Sequence, residues 1–143
     1  MADIVHDFPI NASRQQVFQA VSSPAGLDSW WTKRSSGEPA LGKEYVLWFG
    51  PEDDWRAVVS RYVANVEFEL RLTHSQEDWQ DTRVRFFLEE TNGVTHVRFQ
   101  HLDWPEASDH YRTSSFCWAM YLRLLRRYVE NDEVVPYEAR LDV

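Results

Sequence analysis

The sequence predicts an α+β fold in which a bent antiparallel sheet of about six strands wraps round one long C-terminal helix. Three observations predict it. Residues 108–130 place Tyr111, Ser114, Trp118, Tyr121, Leu122, Leu125, Tyr128 and Val129 on one helical arc, with Cys117 and Leu124 at its edge. Arg112, Arg123, Arg126, Arg127 and Glu130 fall opposite. Five strand-like segments between residues 44 and 101, the last three alternating with a period of two, are joined by short loops, which makes a meander. Two helix-start signals stand in tandem between residues 13 and 24, ahead of those strands. The predicted order is β-α-α-β-β-β-β-β-α.

The chain opens with a strand over about 3–9, where Ile4, His6 and Phe8 alternate with Val5 and Asp7. Pro9 helps to end it. Ser13 and Gln16 form an S-x-x-Q capping box, and Val17, Phe18 and Val21 follow on one stripe of a short helix. Ser23 before Pro24 is a second cap, opening a helix with Leu27, Trp30 and Trp31 on one side. A loop rich in Ser, Gly and Pro (Ser35 to Gly42) leads to a strand at about 44–49. The turn Gly50-Pro51-Glu52-Asp53-Asp54 follows, then strands at about 55–63, 67–73 and 82–90. Asn92-Gly93 is the clearest hairpin signal, and the returning strand 94–101 places Val97, Phe99 and His101 on one face.

The terminal helix would be about 35 Å long at 1.5 Å per residue, and a sheet bent round it leaves a space between the two. Beyond it, Tyr137, Ala139, Leu141 and Val143 alternate with Glu138, Arg140 and Asp142. That pattern predicts a single domain over 1–131 and an extended arm over 132–143, either a frayed tail or a strand-like segment docked on its own domain or across a second subunit.

A chain of 143 residues, 43% hydrophobic, is large enough for one real core. Seven tryptophans supply large buried areas and are also the residues that line pockets for organic ligands. A net charge of −8 argues against nucleic acid, which needs a concentrated basic patch. The helix arginines have acidic neighbours at Glu130, Asp132 and Glu133. No apolar run reaches transmembrane length and no signal pattern opens the chain. The single cysteine forms no internal disulfide, so a cytoplasmic protein is expected.

The run Pro9-Ile10-Asn11-Ala12-Ser13 with Val17-Phe18 is similar to the strand-to-helix passage of the START-like (SRPBCC, helix-grip) superfamily. Trp30-Trp31 after Leu27, Gly42 three residues before Tyr45, and Trp118 followed by Leu122 and Leu125 resemble one branch of it. That branch comprises homologues of the C-terminal domain of the heat-shock-protein-90 ATPase activator, and the resemblance covers nearly the whole chain. It implies a helix-grip fold with an internal cavity for a lipid-like or aromatic molecule. Relatives across the superfamily include lipid carriers, hormone receptors, and polyketide aromatases and cyclases. The branch often carries His-x-Gly at the end of the last strand, where this chain has His101-Leu102-Asp103.

Catalytic signatures are largely missing: there is no G-x-S-x-G, no H-E-x-x-H and no glycine-rich phosphate loop. His6, His74, His96, His101 and His110 lack metal-ligand spacing, and His96 and His101, five apart on one strand, face opposite ways. No metal or cofactor is expected. His101 has two readings, a base or ligand anchor in an apolar cavity, or a strand-end histidine satisfied by hydrogen bonds. Cys117 near Tyr121 has no base beside it, and buried cysteine is usually inert packing.

The expected function is binding of a small hydrophobic or aromatic ligand, without catalysis. The expected lining is Trp48, Trp55, Phe86, Phe99 and His101 from the sheet, with Tyr111, Ser114, Trp118 and Tyr121 from the helix. The alternatives are a cyclase or dehydratase of polyketide type, with His101 or Tyr111 handling protons, and an interaction module modulating a chaperone ATPase. Such a module would use Phe116, Met120 and the C-terminal arm. A homodimer is one assembly the C-terminal arm allows, and neither nucleic acid nor membrane is expected as a partner.

Overall fold

The computed structural model describes residues 1–142, and Val143, the last member of the period-two pattern, lies outside them. Seven strands form one antiparallel sheet among these residues: β1 (Ala2–Ile10), β2 (Arg34–Ser36), β3 (Glu44–Gly50), β4 (Asp53–Val63), β5 (Glu67–His74), β6 (Arg83–Thr91) and β7 (Val94–Trp104). Their spatial order is β1-β7-β6-β5-β4-β3-β2. Helices α1 (Arg14–Ser22) and α2 (Pro24–Trp30) lie between β1 and β2, and α3 (Asp109–Asn131) follows β7. Among the described residues no helix is long and apolar enough to cross a membrane.

Local chemistry explains the boundaries. At α1 the Gln16 N–H donates to Ser13 Oγ at 3.2 Å while Gln16 Oε1 accepts from the Ser13 N–H at 3.2 Å. At α2 the Ser23 hydroxyl accepts from the Gly26 N–H at 3.0 Å, with Pro24 in the first turn. A Cβ on Gly26 would lie 2.6 Å from the Gln19 carbonyl oxygen, so only glycine lets the two short helices approach this closely. Ser108 caps α3 through the Tyr111 N–H at 3.2 Å. The β6–β7 hairpin turns on Asn92 (φ 53°) and Gly93 (φ 79°), the pair of positive angles that a two-residue hairpin loop requires.

The sheet has one strand more than the sequence predicts. β2 is three residues long, too short for a periodic signal, and it pairs with Val46, Leu47 and Trp48 of β3. The Arg34 guanidinium lies 4.4 Å from the centroid of the Trp48 ring.

β7 carries a bulge at its end. Ala2 faces Trp104 and Ile4 faces His101, so β7 holds one residue more than β1 across that interval. Asp103 sits there at φ 71°, the left-handed region that glycine adopts freely. This is the position of the glycine in His-x-Gly. Aspartate is held in its place by Arg83 Nε, which donates to Asp103 Oδ2 at 2.7 Å, and by Asp3 Oδ1, which accepts the Asp103 N–H at 3.0 Å. The bulge brings Trp104 to the same side as His101, with ring centroids 4.9 Å apart.

Trp118, Leu122 and Leu125 of α3 are buried against the concave face of the sheet. Trp118 meets Phe99 at 4.5 Å and Trp31 at 5.1 Å between ring centroids. The opposite face holds one buried acid: Glu69 Oε2 accepts from Arg85 Nε at 2.7 Å and sits 3.4 Å from Arg83 Nη1, while Glu69 Oε1 accepts from the Ser60 hydroxyl at 2.8 Å.

The extended C-terminal arm is corrected. The chain folds back on its own domain and ends in a 3₁₀ turn over Tyr137–Asp142. The docking residues are Tyr137 and Arg140, three apart, which share a face at three residues per turn and would not at two. Arg140 is buried, and its guanidinium donates to the carbonyls of Val135 (3.0 Å), Thr32 (3.0 Å) and Asp28 (2.7 Å).

Candidate functional site: an aromatic cleft under the C-terminal helix

Rings occupy most of the space between the bent sheet and the first half of α3. Trp79, from the β5–β6 connection, stacks 5.8 Å from Trp118 and lies 5.0 Å from Trp55. Phe49 meets Trp55 at 4.8 Å and Trp31 at 5.5 Å. What stays open is a cleft of about 280 Å³ at one end of the helix. Its walls are the rings of Trp31, Phe49, Trp55, Trp79, Trp118, Tyr121 and Tyr137. Polar groups enter from Asp53, Gln76, His110, Thr113 and Ser114, and Leu141 closes one side. Where the resemblance implies an internal cavity, this chain has a half-open aromatic cleft.

The C-terminal turn is part of the site. The Tyr137 hydroxyl donates to the Phe49 carbonyl at 3.4 Å, laying its ring across the cleft. Gln76 Nε2 reaches Asp53 Oδ1 at 3.4 Å, and His110 Nδ1 lies 3.0 Å from Asp78 Oδ2.

His101 is fully buried behind this wall, with both nitrogens engaged. The Trp118 indole N–H donates to His101 Nδ1 at 3.1 Å. Nδ1 is therefore the unprotonated nitrogen, and Nε2–H donates to Thr82 Oγ1 at 2.8 Å. The Thr82 hydroxyl in turn donates a hydrogen bond to the Trp79 carbonyl at 2.6 Å. Burial pulls the histidine pKa down to about 3, with a smaller push from His110. His101 is a neutral brace joining the sheet to the two indoles that face the cleft.

Of the nine residues expected to line the site, Trp55, Ser114, Trp118 and Tyr121 reach the cleft. Phe86 and Phe99 lie deeper, packed on each other at 5.3 Å, in the closed part of the core. His101 stands behind Trp79 and Trp118. Trp48 is corrected outright: it alternates with Leu47 along β3 and points to the other face, under Arg34. Tyr111 is also corrected, because its hydroxyl donates to the Asp3 carbonyl at 2.7 Å and its ring rests on Trp104 at 5.6 Å.

Most of the residues that sequence reasoning missed lie in connections or at strand ends beside them: Phe49 and Asp53 flank the β3–β4 turn, Gln76 and Trp79 lie between β5 and β6, and Tyr137 follows α3, while His110, Thr113 and Cys117 come from α3 itself. Trp31 was legible as a helix-face residue, though nothing in the sequence aimed it at this site.

The groups present offer little reactive chemistry. Burial raises the Cys117 thiol above its ordinary value and pushes the Tyr121 phenol up to about 12, so both stay protonated at neutral pH. Among the described residues no three His, Cys, Asp or Glu side chains gather as a metal set. Two buried indole N–H groups, of Trp79 and Trp104, have no hydrogen-bond partner there.

An open antiparallel sheet gripping a long C-terminal helix, with an aromatic cleft beneath that helix, defines a protein of the helix-grip class. Within that class the chain belongs to the family of Activator of Hsp90 ATPase homolog 1-like proteins, whose model matches residues 11–130. No curated protein matches the chain. Among solved structures it is similar to the Aha1 dimer of Colwellia psychrerythraea, at 28% identity and a TM-score of 0.83, over 93% of this chain and 99% of that one. A Staphylococcus saprophyticus protein shares the fold at 20% identity and a TM-score of 0.77, over 94% and 96% of the two chains. CalU16 from Micromonospora echinospora does so at 16% identity and 0.75, over 98% and 81%.

Proposed function

We propose that the protein binds a small hydrophobic or aromatic ligand in the cleft under α3 and does not catalyse its conversion. The observation that carries this reading is the set of seven rings around an open space of about 280 Å³. Organic-ligand pockets run from roughly 300 to 1,000 Å³, so this cleft suits a compact ligand or part of a longer one. Burial of apolar surface, at roughly 25 cal/mol per Å², drives association, and Ser114, Thr113 and Asp53 orient the guest. Residues 1–131 form the binding domain, and the segment after them covers the cleft.

The cyclase reading is weaker here because its proton carriers are committed elsewhere. His101 is held neutral between Trp118 and Thr82, and the Tyr111 hydroxyl is bonded to Asp3. Native mass spectrometry of freshly purified protein, followed by organic extraction, tests the binding reading. A stoichiometric small molecule supports it. A clean apo mass with no thermal shift across a panel of apolar compounds overturns it.

A second reading, homodimerisation, is favoured by the dimeric Colwellia psychrerythraea relative, 28% identical over nearly the full length of both chains. Action on a partner such as a chaperone ATPase fits the family description and the exposed Phe116 on α3, 69% accessible. The same native spectrum reports the oligomeric state, and a purely monomeric protein at micromolar concentration removes the dimer.

A further inference from the structure

Building on the ligand-binding reading, we infer that the cleft selects a cationic guest: a protonated or quaternary amine attached to an aromatic or compact apolar body. Among the described residues its lining contains seven aromatic faces and one carboxylate, Asp53, and neither lysine nor arginine. Aromatic faces carry negative potential and attract cations lying above them, most strongly where water is excluded. Trp31, Trp55, Trp79 and Trp118 supply four indoles to one space, and indole is the best of the aromatic partners for a cation.

The acidic side chains beside the mouth act in the same sense. Glu52 of the β3–β4 turn and Asp53 and Asp54 at the start of β4 follow one another beside it, and of the three only Asp54 is paired, with Arg56. His110 opens onto the cleft but is bonded to Asp78. The neighbouring cations are already committed. Arg140 is buried on three carbonyls, with its guanidinium 5.5 Å from the Tyr137 ring centroid. Lys33 lies 5.7 Å from that same ring centroid and pairs with Glu138 at 3.5 Å. An anionic guest would therefore meet a carboxylate and ring faces with no positive partner, whereas a cationic guest meets both as partners.

The test uses three probes sharing one naphthalene body: a neutral naphthylmethanol, a naphthylmethyl-trimethylammonium and a naphthoate. Each is titrated against the tryptophan fluorescence of the full chain at pH 7 and low salt. The ammonium probe should bind about tenfold tighter than the alcohol, and the carboxylate more weakly than either. Asp53→Asn, at the first residue of β4 and with folding verified by circular dichroism, should weaken the ammonium probe about fivefold and leave the alcohol within about twofold. An ammonium probe no tighter than the alcohol, or a carboxylate as tight as either, overturns the cation inference while hydrophobic binding stands. No binding by any of the three overturns the ligand-binding reading itself.

Discussion

The Trp118 indole N–H donates to Nδ1 of His101 at 3.1 Å, and this bond sets the tautomer of a histidine with no exposure to solvent. With Nδ1 an acceptor, Nε2 must be the donor, and Thr82 is placed to receive it at 2.8 Å. Protonating Nδ1 would set two donors against each other in a buried site, which adds to the desolvation that already lowers the pKa.

A pH dependence follows. The folded pKa is about 3 against an ordinary 6.5, so between those values the unfolded chain binds a proton that the native protein does not. Stability contributed by neutral His101 is fully present above pH 6.5 and is lost as pH falls towards 3. The slope from this one group approaches about 1.4 kcal/mol per pH unit. His101→Gln keeps an acceptor and a donor but no titration. Urea unfolding at pH 7, 6, 5 and 4 should show a shallower loss for the variant than for the wild type; parallel curves would contradict the assignment.

The buried acid on the other face should be unforgiving of losing its partner. Arg85→Ala leaves Glu69, whose side chain is 2% exposed, without its shortest ion pair, and should destabilise the fold by about 3 kcal/mol. Arg98→Ala breaks an ion pair with Asp7 that is open to water on both sides and should leave the denaturant midpoint near wild type. Equal shifts for the two variants would refute the distinction.

Arg140 anchors the segment that covers the cleft. Arg140→Met removes three hydrogen bonds while keeping much of the side-chain volume. Amides of residues 137–142 should then exchange with solvent about tenfold faster or more, with little change in the central strands. Uniform acceleration over the whole chain would instead mean that the turn is integral to the global fold.

Ligand binding separates the cleft from the opposite face. Tyr121→Ala should weaken a bound aromatic probe by roughly tenfold through lost ring contact. Trp48→Ala, which removes a ring of similar size from the far side of the sheet, should leave the affinity unchanged. Isothermal titration of both variants against the same probe decides it.

Much of the architecture was written in local patterns. Ser13 with Gln16, Ser23 with Pro24 and Asn92-Gly93 are signals complete within four residues, and each forms the cap or turn its chemistry dictates. The arc of α3 was legible for the same reason, since a 3.6-residue period repeated over six turns leaves no second reading. Ser114, Trp118 and Tyr121 share the helix face that spacing makes readable, and that face lines the cleft.

Other features depend on distant partners. β2 exists because β3 offers it an edge, and three residues of Arg and Ser carry no period to announce it. Asp103 adopts a glycine's conformation because Arg83 and Asp3 hold it there. Tyr137 and Arg140 read as alternate positions of a strand until the carbonyls of Asp28 and Thr32 made them neighbours on a 3₁₀ turn. Periodicity names the face a side chain takes on its own element; which face looks into the cleft, and which loops complete it, is decided only when the sheet bends and elements far apart in sequence compete for the same space.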